Sequence, residues 1–137
     1  MRNKITVTST VNEDTKKTWD YYTQPKHITQ WNFADPSWQC PSASNDLQVG
    51  GKYTARMEAK NGNFVFDLEG TYTEVMEGKK LTFKLDDGRE VTASFTADGN
   101  ATHVSVVFDA EDTNPVEMQK GGWQAILDNF KKYTEGN

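Results

Sequence analysis

Trp123, Ile126, Leu127 and Phe130 recur at i, i+3, i+4 and i+7, and this single apolar stripe predicts one long amphipathic helix over the last quarter of the chain. Asn114 suits the N-cap, Pro115 the first helical position, and Glu117 can close a capping box. Lys131 and Lys132 favour the C-terminal end, and Gly136 marks the stop. So bulky a face needs a broad apolar surface to cover. The preceding residues supply one, because after Gly50-Gly51 the period changes to two. Tyr53, Ala55, Met57 and Ala59 form one strand face; Phe64, Phe66, Leu68, Gly70 and Tyr72 the next. Leu81, Phe83 and Leu85, then Val91, Ala93 and Phe95, then Val104, Val106 and Phe108 continue the pattern. Asn61-Gly62, Glu77-Gly78, Asp87-Gly88 and Asp98-Gly99 turn the chain between them, which predicts a five-strand antiparallel meander with one apolar face.

Upstream, Ile5, Val7 and Val11 share parity with Ser9 and predict a first, half-buried strand. Asn12-Glu13-Asp14 opens a helix over residues 15–22, with Trp19 and Tyr22 three apart. Gln24-Pro25 breaks it, and residues 26–31 predict a second short helical turn through Ile28 and Trp31. Residues 32–45 place Phe33, Trp38 and Cys40 on no consistent period, interrupted by Pro36 and Pro41; a short strand around Trp38 is expected, and residues 32–49 are otherwise illegible. The order predicts an α+β fold: a curved antiparallel sheet of about six or seven strands wrapped around a long C-terminal helix, with two short helices after the first strand. Such a sheet leaves a cavity wherever side chains fail to meet the helix.

Composition narrows the function. The 137 residues read as one domain, 1–137. A net charge of −5, with no basic run interleaved with aromatics, argues against nucleic acid and anionic membrane as partners. One cysteine excludes an internal disulfide framework and a multi-cysteine metal site. No apolar leader and no run of about 18 apolar residues is visible, so a cytoplasmic protein without membrane insertion is expected. Aromatic residues make up 12% of a chain that is only 35% hydrophobic, so the core relies on a few large rings that pack irregularly.

Four motifs carry a family resemblance. Residues 17–31, with Trp19, Thr23, Pro25, Ile28 and Trp31, resemble the V/A-W-x-x-hydrophobic-T-x-P-x-x-hydrophobic-x-x-W signature of the START-like helix-grip (SRPBCC) proteins, and more narrowly the bacterial relatives of the activator of heat-shock protein 90 ATPase. Val49-Gly50-Gly51-Lys52-Tyr53 resembles the family's strand start, and Gly70-Thr71-Tyr72-Thr73-Glu74-Val75 its G-x-Y/V-x-E-V/I strand. Gly122-Trp123 through Leu127 and Phe130 resemble its final helix. The resemblance implies a hydrophobic cavity between sheet and helix; relatives include lipid carriers, hormone binders and polyketide aromatase/cyclases. The eukaryotic co-chaperones join this domain to another, which is not expected here.

Candidate chemistry is sparse. His27, placed in a polar linker, and His103, on an outer strand parity, lack metal-ligand spacing and are expected at the surface. Cys40 has no histidine in a recognisable relationship to it, so a structural role is expected. Glu58, Asp67 and Glu69 share the polar parity with Arg56, so cross-strand pairing is preferred to acid/base catalysis; Arg89 is expected to be exposed. Gly121-Gly122 within the last helix reads either as close approach to sheet or ligand, or as a bend. The aromatic set, including Phe33, Trp38 and Phe130, reads both as core and as pocket lining. The residues expected to line a ligand cavity are Trp31, Tyr53, Met57, Phe66, Phe83, Phe95, Trp123 and Ile126, with Tyr72 as polar anchor. The expected activity is non-catalytic binding of a small hydrophobic or aromatic molecule, without metal or cofactor. A protein-interaction module comes second, and a cyclase-like enzyme, which would need an inward acid or base, last.

Overall fold

The computed structural model describes residues 3–137. Its elements are β1 (Lys4–Val11), α1 (Thr15–Thr23), α2 (Pro25–Trp31), β2 (Trp38–Asn45), β3 (Lys52–Ala59), β4 (Val65–Met76), β5 (Lys80–Leu85), β6 (Glu90–Asp98), β7 (Ala101–Asp109) and α3 (Val116–Gly136). The strands form one antiparallel sheet in the order β1-β7-β6-β5-β4-β3-β2. It curls as a half-barrel with α3 across its concave face, the α+β helix-grip arrangement anticipated above. Because β1 and β2 lie at opposite edges, α1 and α2 carry the chain from one edge to the other.

Local chemistry explains most boundaries. Asp14 caps α1, accepting from the Lys17 backbone N–H at 2.8 Å. Pro25 opens α2, where its missing N–H costs nothing. The four meander turns each place their glycine in the left-handed region, at φ +81° for Gly62, +76° for Gly78, +92° for Gly88 and +60° for Gly99. β2 is an edge strand whose pairing with β3 slips between Gln39 and Ser42, and both the edge and the slip make room for Pro41. The other edge, β1, is covered by α3: Gln124 Nε2 donates to the Thr8 carbonyl at 3.0 Å and Lys131 Nζ to that of Thr10 at 2.7 Å. Those contacts occupy carbonyls that would otherwise recruit a foreign strand.

The start of α3 differs from expectation. Helix begins at Val116, and Asn114 does not cap it; its amide bonds the Glu111 carboxylate instead. Buried Gln119 does the fastening, accepting from the Glu111 N–H at 2.9 Å and donating to the Asn114 carbonyl at 2.7 Å. A longer side chain one turn inside the helix satisfies the loop more completely than Asn114 could. Leu127, Phe130 and Thr134 are buried on its inner stripe, and Phe130 is fully enclosed. Burying such a ring stabilises the fold by about 1.5–3 kcal/mol.

Two glycine positions are fixed by packing. A Cβ on Gly70 would lie 2.7 Å from Phe83 Cδ2, so the Phe83 ring folds across β4 only because that position is bare. On Gly51 a Cβ would meet the Asp46 carbonyl at 2.0 Å. The pair within α3 differs: neither Gly121 nor Gly122 would bring a Cβ within 4 Å of anything, so close approach is not what they provide.

Candidate functional site: an apolar cavity under the terminal helix

A cavity of about 240 Å³ lies between the concave sheet and α3. Trp31, Tyr53, Met57, Phe66, Tyr72, Phe83, Trp123 and Ile126 all border it, together with aliphatic side chains of β1, β5, β6 and β7. Phe95 does not. It faces inward as its parity requires, but α1 fills the space beneath it, with Trp19 and Tyr22 packed edge-on at 5.2 and 5.3 Å. Phe95 is core rather than lining. Phe66 borders the cavity from outside, 51% exposed near the tip of the β3–β4 hairpin, against Trp38 at 6.2 Å.

The rings are held by one another. Trp31 stacks on Tyr22 at 5.2 Å, meets Phe130 edge-on at 5.0 Å, and donates its indole N–H to the Tyr21 carbonyl at 3.0 Å. With its polar tip satisfied, the ring is free to act as apolar wall. Trp123 lies flat on Phe108, 4.0 Å apart and 14° from parallel. Tyr53 stacks on Phe83 at 5.0 Å, and Tyr72 meets Phe83 edge-on at 6.0 Å.

Polar groups occupy two ends. At the deep end Tyr53, Tyr72 and Asn32 are 9%, 3% and 6% exposed, and Asn32 Nδ2 donates to the Tyr53 hydroxyl at 3.4 Å. Burial pushes the Tyr22, Tyr53 and Tyr72 phenols well above their ordinary range, so each keeps its proton at neutral pH. At the mouth stand Arg89 and Glu111, which together with Trp123 and Ile126 also border an outer depression reaching Met118 and Gly122. Arg89 is therefore not the exposed turn residue expected: only 19% of its side chain is accessible. Asp87 pins its Nε at 2.7 Å, and Glu111 lies 3.9 Å from its guanidinium.

Among the other candidates, His27 belongs to α2 rather than to a linker and is half-buried, stacked on Tyr21 at 3.8 Å and hydrogen-bonded through Nδ1 with Tyr133 at 2.8 Å. His103 is exposed beside Thr10. Cys40 is buried, and burial raises its thiol, which disfavours the reactive thiolate. Arg56 and Asp67 face each other across β3 and β4 at 3.8 Å, and Glu58 accepts from Gln39. None of the strand carboxylates lines the cavity; Glu111 does. Among the described residues no cluster of His, Cys, Asp and Glu is suited to a metal ion, and no helix is long and apolar enough to cross a membrane.

Of the polar and aromatic lining residues, Tyr22, Asn32 and Glu111 are not assigned to the cavity by the sequence, and Arg89 is expected at the surface instead. Tyr22 had a signal, its i+3 spacing from Trp19, which reads equally as core. Asn32 falls where no period exists, and a residue just after a turn has no parity to orient it.

The pattern that defines the Activator of Hsp90 ATPase homolog 1-like protein family matches residues 14–135. The chain belongs to that family. Activator of Hsp90 ATPase homolog 1-like proteins are of the START type, and solved structures agree. An AHSA1-like protein from Aeromonas hydrophila is 38% identical, with a TM-score of 0.91 over 98% of this chain and 93% of the other. A protein from Cytophaga hutchinsonii is 46% identical with a TM-score of 0.84, again over 98% and 93%. One from Chromobacterium violaceum shares the fold at 20% identity, with a TM-score of 0.88 over 98% and 99%. No curated protein matches this member of the family.

Proposed function

We propose that the protein is a non-catalytic binder of a small apolar or aromatic molecule held between sheet and α3. The observation that carries this reading is the hollow of about 240 Å³ beneath a helix that elsewhere packs tightly. An apolar cavity of about 150 Å³ holds a benzene, so this one suits a molecule about one and a half times that size, near two fused rings. Trp31 and Trp123 form part of the wall and will report occupancy. A titration with 1-anilinonaphthalene-8-sulfonate and neutral bicyclic aromatics, read by tryptophan emission and melting temperature, tests it. Saturable quenching with a rise in melting temperature supports binding; unchanged emission and melting across the panel defeat it. A cytoplasmic location accompanies this reading, and cell fractionation checks it.

A second reading, an interaction module for a protein partner such as a chaperone ATPase, rests on a different observation. Phe64, Val65 and Phe66 are 68%, 47% and 51% exposed at one hairpin, next to Trp38. A stoichiometric partner lost on Phe64→Ser, with aromatic binding intact, favours that role. Cyclase chemistry would have to use Glu111, already paired with Arg89 at the mouth, and we rank it last.

A further inference from the structure

The deep end of the cavity carries more polarity than an apolar carrier requires. Tyr22, Tyr53 and Tyr72 border it from three different elements, α1, β3 and β4, beside Asn32. One of these hydroxyls receives a hydrogen bond from a carboxamide: Asn32 donates to Tyr53 at 3.4 Å. A phenol has one proton and accepts through its oxygen. With the Tyr53 oxygen engaged by the Asn32 amide, its proton is left to point away from that amide. Tyr22 is enclosed by Trp31, Phe95 and Phe130, so the surface it retains is cavity surface. Among the described residues, the fully enclosed side-chain polar atoms lacking a partner are Asn45 Oδ1 and Thr134 Oγ1. No tyrosine hydroxyl of the cavity is among them: that of Tyr53 has Asn32 as its partner, and those of Tyr22 and Tyr72 open onto the cavity.

Resting on the reading of the cavity as a binding site, we propose that its deep end is a hydrogen-bond donor site for a carbonyl oxygen, formed by Tyr53 and Tyr72 with Tyr22 alongside, so that the preferred ligand is an aromatic ketone or quinone of about two rings rather than a hydrocarbon. Asn32 acts as a positioning residue that fixes the Tyr53 rotor. The mouth would then take the substituted edge of the molecule, beside Arg89.

Matched probes test this: 1-tetralone and tetralin share the two-ring skeleton and differ by one carbonyl. An unpolarised cavity favours tetralin, the more apolar of the two. With two phenol donors, each worth about 1 kcal/mol or roughly fivefold, the wild-type protein should bind tetralone at least as tightly as tetralin. In Tyr53→Phe/Tyr72→Phe the affinity ratio should swing towards tetralin by at least about tenfold. The infrared carbonyl band of bound tetralone, read on the wild-type protein alone, should lie below its position in hexane. If tetralin binds while the ratio is unmoved by the double variant and the band stays at its hexane position, the donor site is refuted and the cavity reading survives. If neither probe binds, the cavity reading falls, and this inference with it.

Discussion

Replacing Gly121 and Gly122 with alanine should make the protein more stable. Glycine in a helix interior is about 0.8–1.0 kcal/mol less favourable than alanine, and both lie more than a turn inside α3, which runs from Val116 to Gly136. The gain is realised only where the new methyl meets no obstacle. An ideal Cβ at either position finds nothing within 4 Å. The double variant should therefore gain about 2 kcal/mol, somewhat less if the neighbours couple. For a domain of this size that corresponds to a melting temperature higher by roughly 6–10 °C. Urea denaturation followed by circular dichroism, with the slope unchanged and the midpoint raised, is the decisive measurement. A midpoint that stays put or falls would mean that this part of α3 is not a regular, unobstructed helix, and the geometry assigned to the mouth would have to be redrawn. Gly122 also borders the outer depression, so the same variants show whether this stretch of helix stays free of side chains for access rather than for packing.

Other outcomes follow from the packing. Gly70→Ala should cost about 1–3 kcal/mol, because the methyl would press on Phe83 at 2.7 Å and on the Lys84 carbonyl at 3.2 Å; urea midpoints measure it. Ile126→Trp puts a large ring into the cavity wall and should weaken binding of a bicyclic probe at least tenfold, read by fluorescence titration, while circular dichroism stays that of a folded protein. His27 should make the fold acid-sensitive. Burial, with Lys26 adding and Asp20 opposing, holds its pKa below the ordinary 6.5. Protonation thus favours the unfolded chain, so the stability His27 contributes is complete above about pH 6.5 and is lost as pH falls through the depressed value. Between pH 7 and 5 the melting temperature should therefore fall further in the wild type than in His27→Gln.

The meander was legible because every turn from Asn61 to Gly99 carries a glycine and every strand between alternates. The helix was legible because its stripe keeps one period over Trp123 to Phe130. β2 was legible only as a short strand around Trp38; its run to Asn45 was not, because an edge strand carrying Pro41 and a slipped register buries Cys40 without a repeating neighbour. At the site, parity told which way a side chain points but not what stands opposite. Phe95 and Phe83 point to the same side of the sheet; α1 occupies the space above one and the cavity lies above the other. Phe66 has the right parity too, yet sits where the hairpin outruns the helix. Arg89 and Gln119 escaped because their roles are set by residues distant from any strand period: a turn carboxylate and a loop carbonyl.

Pairing of β1 with β7 matches Lys4 to Asp109, partners 105 residues apart. At a synthesis rate of about 5–20 residues per second, β1 leaves the ribosome some 5–20 s before its neighbour exists. Through that interval Ile5, Val7 and Val11 remain uncovered, and the face they form is sealed only once α3 has followed. Closing so large a loop is entropically slow, so nascent chains should depend on holding factors until the final helix is made.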